Sequence, residues 1–138
     1  MTGPFRATVL VPGEASGRVL ALGEPLSLWG GVDPESGRIV EPSHPDHGAS
    51  IAGVVLAMPA ARGSSSSSSI LAELLRLGLG PRAIVLGERD EILVVGSVVA
   101  RELYGVVCPV VLLDAATYAD AAACTTLAIE PDGTLTGG

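Results

Sequence analysis

The chain has 138 residues, 48% hydrophobic and only 17% charged, which fits one domain with a modest core and excludes a disordered tail. Its formal net charge is −7 and no Lys/Arg cluster occurs, so a nucleic-acid or anionic-membrane surface, which needs grouped positive charge, is not expected. No basic-then-apolar leader opens the sequence, and the longest apolar stretch, Ile92 to Ala100, is far too short to span a bilayer; a soluble, cytoplasmic protein is expected.

The first fifty residues are rich in turns and lack helical periodicity. Phe5 to Val11 and Gly17 to Gly23 read as short strands bounded by Pro12–Gly13 and by Gly23 with Pro25. Leu26 to Pro42 reads as strand, glycine-rich bend, Asp-Pro turn and strand. Gly30 and Gly31 remove two side chains where Asp33–Pro34 redirects the backbone. After His47 the character changes. Ser50 to Pro59 is a continuous apolar run, the pattern of a strand buried on both faces. Ile70 to Gly80 carries Leu71, Leu74, Leu75 and Gly78 on one helical face, with Pro81 as a stop. Arg82 to Gly87 is another buried-type strand. In Arg89 to Gly105, Asp90 is placed to cap a helix whose periodic residues are Ile92, Val95, Val99 and Leu103. Val106 to Asp114 reads as a third buried strand, and Thr126 to Gly137 as a hairpin about Asp132–Gly133. The sum is an α/β fold: a parallel βαβαβ core with a second layer of short strands from both ends, forming one domain over residues 1–138.

With one Trp, one Phe and two Tyr, the core must be built from Val, Leu, Ile and Ala. So few charges on so small a body also suggest that some apolar surface meets a partner chain. Cys108 and Cys124 stand alone, without a CxxC or a nearby His, and are expected to be buried, reduced thiols.

The most unusual stretch is Arg62–Gly63 followed by six serines, Ser64 to Ser69. By composition it is a linker. By position it joins the C-terminal end of a buried strand to a helix start, where open α/β sheets bind ligands and where unpaired N–H groups hold carboxylates and phosphates. Gly63 lets the backbone approach a ligand, Arg62 adds a fixed charge, and a serine hydroxyl whose alkoxide is stabilised can act as a base. A plain helix cap remains the alternative, and the pattern leaves both readings open. The G-x-S-x-G elbow of serine hydrolases is missing, as are the P-loop and Rossmann fingerprints. His44 and His47, in His-Pro-Asp-His, are spaced so that they could ligate a metal, but Pro45 and the turn context favour a solvated loop, and no metal site is expected.

Three spaced motifs carry a resemblance: Gly-Gly-Val-Asp-Pro-x-Ser-Gly (Gly30 to Gly37), His-Pro-x-x-Gly-x-Ser-Ile-Ala-Gly (His44 to Gly53) and Pro-x-x-x-Gly-Ser-Ser (Pro59 to Ser65). From about Gly17 to Leu113 the chain resembles the small, swivelling-domain subunit of aconitase X. The resemblance implies a three-layer β/β/α swivelling domain and one half of a hydro-lyase, a heterodimer whose iron–sulfur cluster is held by cysteines of a separate large subunit. It implies Ser64 as proton acceptor, Ser65 and Ser66 amides as holders of the substrate carboxylate, and Gly30 and Gly31 as a second wall. Arg62 could replace the arginine that related aconitases carry where this chain has Ser66. Ser67 to Ser69 are left as polar filling. The substrate implied is cis-3-hydroxy-L-proline, dehydrated to a pyrroline carboxylate, with mevalonate 5-phosphate as the alternative. A non-catalytic swivelling carrier or scaffold is the rival from another class, but such a carrier needs a His at the turn, which here holds only Ser.

Overall fold

A computed structural model describes residues 2–138. The strands are β1 (Thr2–Arg6), β2 (Thr8–Val11), β3 (Ala15–Ala21), β4 (Val55–Met58), β5 (Ala83–Leu86), β6 (Val110–Leu112), β7 (Thr126–Ile129) and β8 (Thr134–Gly137). Between them lie a single turn, α1 (Leu28–Gly31), and three longer helices, α2 (Ser67–Arg76), α3 (Glu91–Tyr104) and α4 (Ala115–Ala122). The strand order is β1-β8-β7-β3-β4-β5-β6-β2.

This order is two sheets that share β3. Its first half, Ala15 to Arg18, pairs antiparallel with β7, while Val19 to Ala21 pair parallel with β4. The first two strands divide the same way, β1 joining β8 and β2 joining β6. The parallel order β4-β5-β6 is the expected core, but the early strands do not all join the second layer. The second half of β3 extends the core sheet at one edge and β2 at the other, leaving β1, β7, β8 and the first half of β3 to form the second layer.

Alternation places side chains on both faces of the central strands. Val55, Ala57, Ala83, Val85 and Val111 pack toward Leu127, Ile129 and Leu135 of the antiparallel sheet. Leu56, Met58, Ile84, Leu86 and Val110 pack toward Leu71, Leu74 and Leu93 of the helices. The three layers are therefore sheet, sheet and helices, as the resemblance implies. Truncating a fully buried residue at such a junction, Leu74→Ala, costs about 2–5 kcal/mol.

Several expectations are corrected. Ser50 to Val54 are not strand: Gly53 adopts φ +70° in a turn, and pairing begins at Val55. The stretch 26–42 forms no strand: around the single turn α1 it makes isolated bridges, Leu26 to Ala61, Val32 to Ile39 and Arg38 to Ser50, because its turns leave too few consecutive residues to build a ladder. In α3 the periodic stripe faces outward, with Val95 50% and Leu103 69% exposed. The buried face is Leu93, Gly96, Ser97 and Ala100. Small residues belong there because α2 passes so close that a Cβ on Gly96 would sit 2.7 Å from the Ser68 carbonyl oxygen. Helix α4 is an addition the sequence pattern did not show.

Cys108 is buried, and desolvation pushes its thiol up to about 12. Cys124 is only half-buried, contrary to expectation; it lies two residues past the end of α4, against the bare backbone of Gly137. His44 is likewise not solvated. Its Nε2 lies 3.2 Å from the Glu24 carbonyl, while its Nδ1 accepts the Asp46 N–H at 3.0 Å. Those two bonds require the neutral ring with its proton on Nε2 and leave no lone pair for a metal. His47 is exposed. No helix among the described residues is long and apolar enough to cross a membrane.

Candidate functional site

The parallel strands β4 and β5 deliver their following loops to one end of the sheet, and α2 starts there. Gly63 adopts φ +108°, and a Cβ on it would lie 2.6 Å from that of Ser27, so only glycine fits this turn. Ser64 follows. Its Oγ accepts the Ser66 N–H at 3.1 Å, and its carbonyl accepts the Ser67 N–H at 2.9 Å. Two further i to i+3 bonds, Ser68 to Ser65 and Ser69 to Ser66, wind the row into a tight turn that becomes α2. Ser64 thus closes the turn that leads into α2, whose N-cap is Ser66, and the row is a helix start rather than a linker.

Two consequences matter for chemistry. The Ser66 N–H, expected to hold a carboxylate, is used by Ser64 Oγ. The N–H groups of Ser64 and Ser65 donate to no group among the described residues. A hydroxyl oxygen that accepts an N–H at the positive end of a helix is favoured as alkoxide by both effects.

The loop carrying Gly30 and Gly31 is fastened to this turn at three points. Leu26 bridges to Ala61, Ser27 packs on Gly63, and the Trp29 N–H donates to Ser67 Oγ at 3.1 Å. Ser67 is only 3% exposed and is the clamp between the two loops, not filling. The Ser68 hydroxyl donates to the Ser65 carbonyl at 2.8 Å, whereas Ser69 is exposed. Gly30 adopts φ +82° with nothing within 4 Å of where a Cβ would stand, an open flank of the site. Gly31 is buried, and a Cβ there would press on Leu26 Cδ1 at 3.0 Å, so its bareness serves packing.

Arg62 and Ser64 line one crevice with Leu28, Ser67 and Asp90. At about 10 Å³ it admits roughly one water molecule. Beside it, an open groove of about 330 Å³ runs along Trp29, Gly30 and Ile70, with Trp29 55% exposed. Arg62 is already engaged: its Nη2 donates to Glu41 Oε1 at 3.0 Å. Glu41 was not singled out from the sequence, because nothing local links it to a residue 21 positions later.

The residues present do not fit an iron–sulfur cluster. No three His, Cys, Asp or Glu side chains among the described residues are grouped to hold a metal. Cys108 is buried, its thiol pushed up to about 12, and no other metal-ligating side chains among the described residues group with it.

A central parallel sheet covered by helices on one side and a small antiparallel sheet on the other, with a Gly-Ser turn opening a helix at the strand ends, defines a three-layer β/β/α domain of the swivelling type. The chain belongs to the aconitase X swivel domain family, whose model matches residues 4–136. It is 47% identical over 104 residues to a cis-3-hydroxy-L-proline dehydratase of Pseudomonas aeruginosa, covering 75% of this chain and 18% of that protein. It is 38% identical over 96 residues to a phosphomevalonate dehydratase small subunit of Thermococcus gammatolerans, covering 70% and 73%. A crystal structure of Thermococcus kodakaraensis aconitase X in its holo form superposes with a TM-score of 0.82 at 27% identity, over 99% of each chain. The chain spans about a fifth of the length of the curated hydroxyproline dehydratases it matches.

Proposed function

We propose that this chain is the small subunit of a two-part hydro-lyase that removes water from cis-3-hydroxy-L-proline. The observation that carries the reading is the turn Gly63–Ser64–Ser65. It presents a serine oxygen held by a backbone N–H next to two uncommitted N–H groups, at the start of α2. The crevice is far too small for a substrate on its own, so the site is completed by a large subunit. The described residues offer no ligand group for an iron–sulfur cluster, so in this reading the cluster would be held by that partner and would supply Lewis-acid chemistry there.

The residues of this chain divide the remaining work. The Ser65 N–H and the helix end hold the substrate carboxylate. Ser64, as alkoxide, takes the proton from the carbon bearing the carboxylate and becomes a hydroxyl. The electron pair left behind forms the double bond as hydroxide leaves the neighbouring carbon, and proton and hydroxide together account for the water lost. The amides that hold the carboxylate also stabilise the charge that develops on it. Gly30 and its loop form the open flank.

The hydroxyproline assignment rests on the identity to the Pseudomonas dehydratase. A second reading, dehydration of mevalonate 5-phosphate, is favoured by the match to most of a small subunit that exists as a separate chain. The test is co-expression with the large-subunit gene, anaerobic reconstitution with iron and sulfide, and assay of both substrates. Dehydration of hydroxyproline that is lost in Ser64→Ala supports the proposal. Turnover of the phosphate alone selects the second reading. Turnover by this chain without a partner, or of neither substrate by the pair, overturns both.

A further inference from the structure

One buried polar side-chain atom among the described residues lacks a partner: Oε2 of Glu41 is walled off from water and receives no hydrogen bond. It lies 4.0 Å from where a Cβ of Gly31 would stand, under the glycine loop. The other oxygen, Oε1, accepts from Arg62 Nη2 at 3.0 Å. A dry carboxylate oxygen without a donor is costly, and a two-pronged pairing with the guanidinium would relieve it. The side chains do not adopt that pairing. Arg62 is held by one corner, and its other N–H edge is uncommitted among the described residues. Arg62 directly precedes the Gly63–Ser64 turn and lines the same crevice as Ser64.

We infer that Glu41 is a positioning residue that holds Arg62 by one nitrogen so that its free N–H edge receives the acid group of the substrate. This rests on the reading of the Ser64 turn as substrate-facing. Glu41 has no competing donor at Oε2, so nothing draws it away from Arg62. An arginine side chain otherwise samples many rotamers, and the single-point bond fixes its direction before the ligand arrives. The ligand chemistry is a flat or tetrahedral oxyanion that accepts two parallel N–H bonds, which a carboxylate and a phosphate both satisfy. Glu41 therefore acts on binding rather than on the proton transfer.

The test uses the chain assembled with its large subunit. Glu41→Gln keeps the shape and removes the charge; Glu41→Asp keeps the charge at shorter reach. The expected result is a KM for the acid substrate raised about tenfold or more in Glu41→Gln, with kcat changed less than about threefold and partial rescue in Glu41→Asp. Arg62→Lys raises KM similarly, and the double variant is no worse than Arg62→Lys alone, because the two residues act in series. Equilibrium dialysis with pyrrole-2-carboxylate and with inorganic phosphate reads binding without turnover. Whichever acid the wild type retains, Glu41→Gln retains more weakly. If the assembled wild type dehydrates neither substrate yet loses acid binding in Glu41→Gln, the functional reading falls and this inference stands. If the wild type turns over and Glu41→Gln matches it in KM and in dialysis, the inference is overturned and the functional reading stands. A fall in kcat at unchanged KM also overturns it.

Discussion

Helices α2, α3 and α4 follow β4, β5 and β6 in turn, but they start differently. Asp90 caps α3, accepting the Leu93 N–H at 2.9 Å, and Glu91 adds a second negative charge in the first turn. Asp114 caps α4 through the Thr117 N–H at 2.8 Å, a bond that holds its carboxyl below the usual range. Helix α2 has no acidic residue in its first turn, and its N-cap, Ser66, makes no side-chain capping bond; only the neutral Ser64 hydroxyl, in the turn before it, accepts a backbone N–H there. Two helices complement their positive ends with carboxylates of this chain, and the third has no such complement, the place where the proposed function puts the substrate acid. A site can thus be marked by the local complement a helix lacks.

Giving α2 the start that α3 has breaks this contrast most directly. Ser64→Asp supplies a capping carboxylate. It is expected to raise or keep the melting temperature while lowering turnover of the assembled enzyme about 10²–10⁴-fold, the range for loss of a general base. Undiminished turnover in that variant would sink the assignment of Ser64. Gly63→Ala forces a side chain into a φ of +108° and onto Ser27, and chemical denaturation should register a loss of about 2–4 kcal/mol. Asp90→Ala removes the cap of α3 and is expected to cost about 1 kcal/mol in the same measurement. Ser67→Ala leaves the Trp29 N–H without its partner, costing about 1–2 kcal/mol and loosening the glycine loop, which amide exchange at Trp29 would report.

The smallest effect follows from titration. Backbone N–H bonds from Glu35, Thr117 and Thr134 are the main reason Asp33, Asp114 and Asp132 have pKa values below 3.8 in the fold. Their contribution is complete above pH 3.8 and is lost as the pH falls through the lowered folded values. At the other end, burial raises Cys108 from 9.0 and Tyr118 from 10.0, each to about 12. Both stay neutral in the fold while the unfolded chain ionises, so stability held below pH 9.0 drains away as the pH rises toward 12. Thermal midpoints across pH 2–11 should therefore form a plateau with two falling edges.

The layers were legible because the apolar runs that contain β4, β5 and β6 have one simple cause, burial on both faces. The positions of α2 and α3 were legible from Asp90, Gly105 and the leucine spacing. The orientation of α3 was not. Its large apolar residues suggest a core face, yet the close passage of α2 at Gly96 demands small ones. Helix α4 escaped because Ala115 to Ala122 lacks a leucine stripe, although Asp114 stood at its start. At the site, the turn Gly63–Ser64 could be read from order along the chain. Ser67 and Glu41 could not, because each takes its meaning from a partner more than twenty residues away.

Strand β3 is laced into both sheets, parallel to β4 at one end and antiparallel to β7 at the other. Neither sheet can be peeled away without unzipping the other, so heat or an applied force should release both in a single event. Amides of Gly17 and Leu20 are then expected to exchange with one common opening energy. The loop that holds Gly30 follows the end of this strand, so it is anchored to the element that ties the two sheets together.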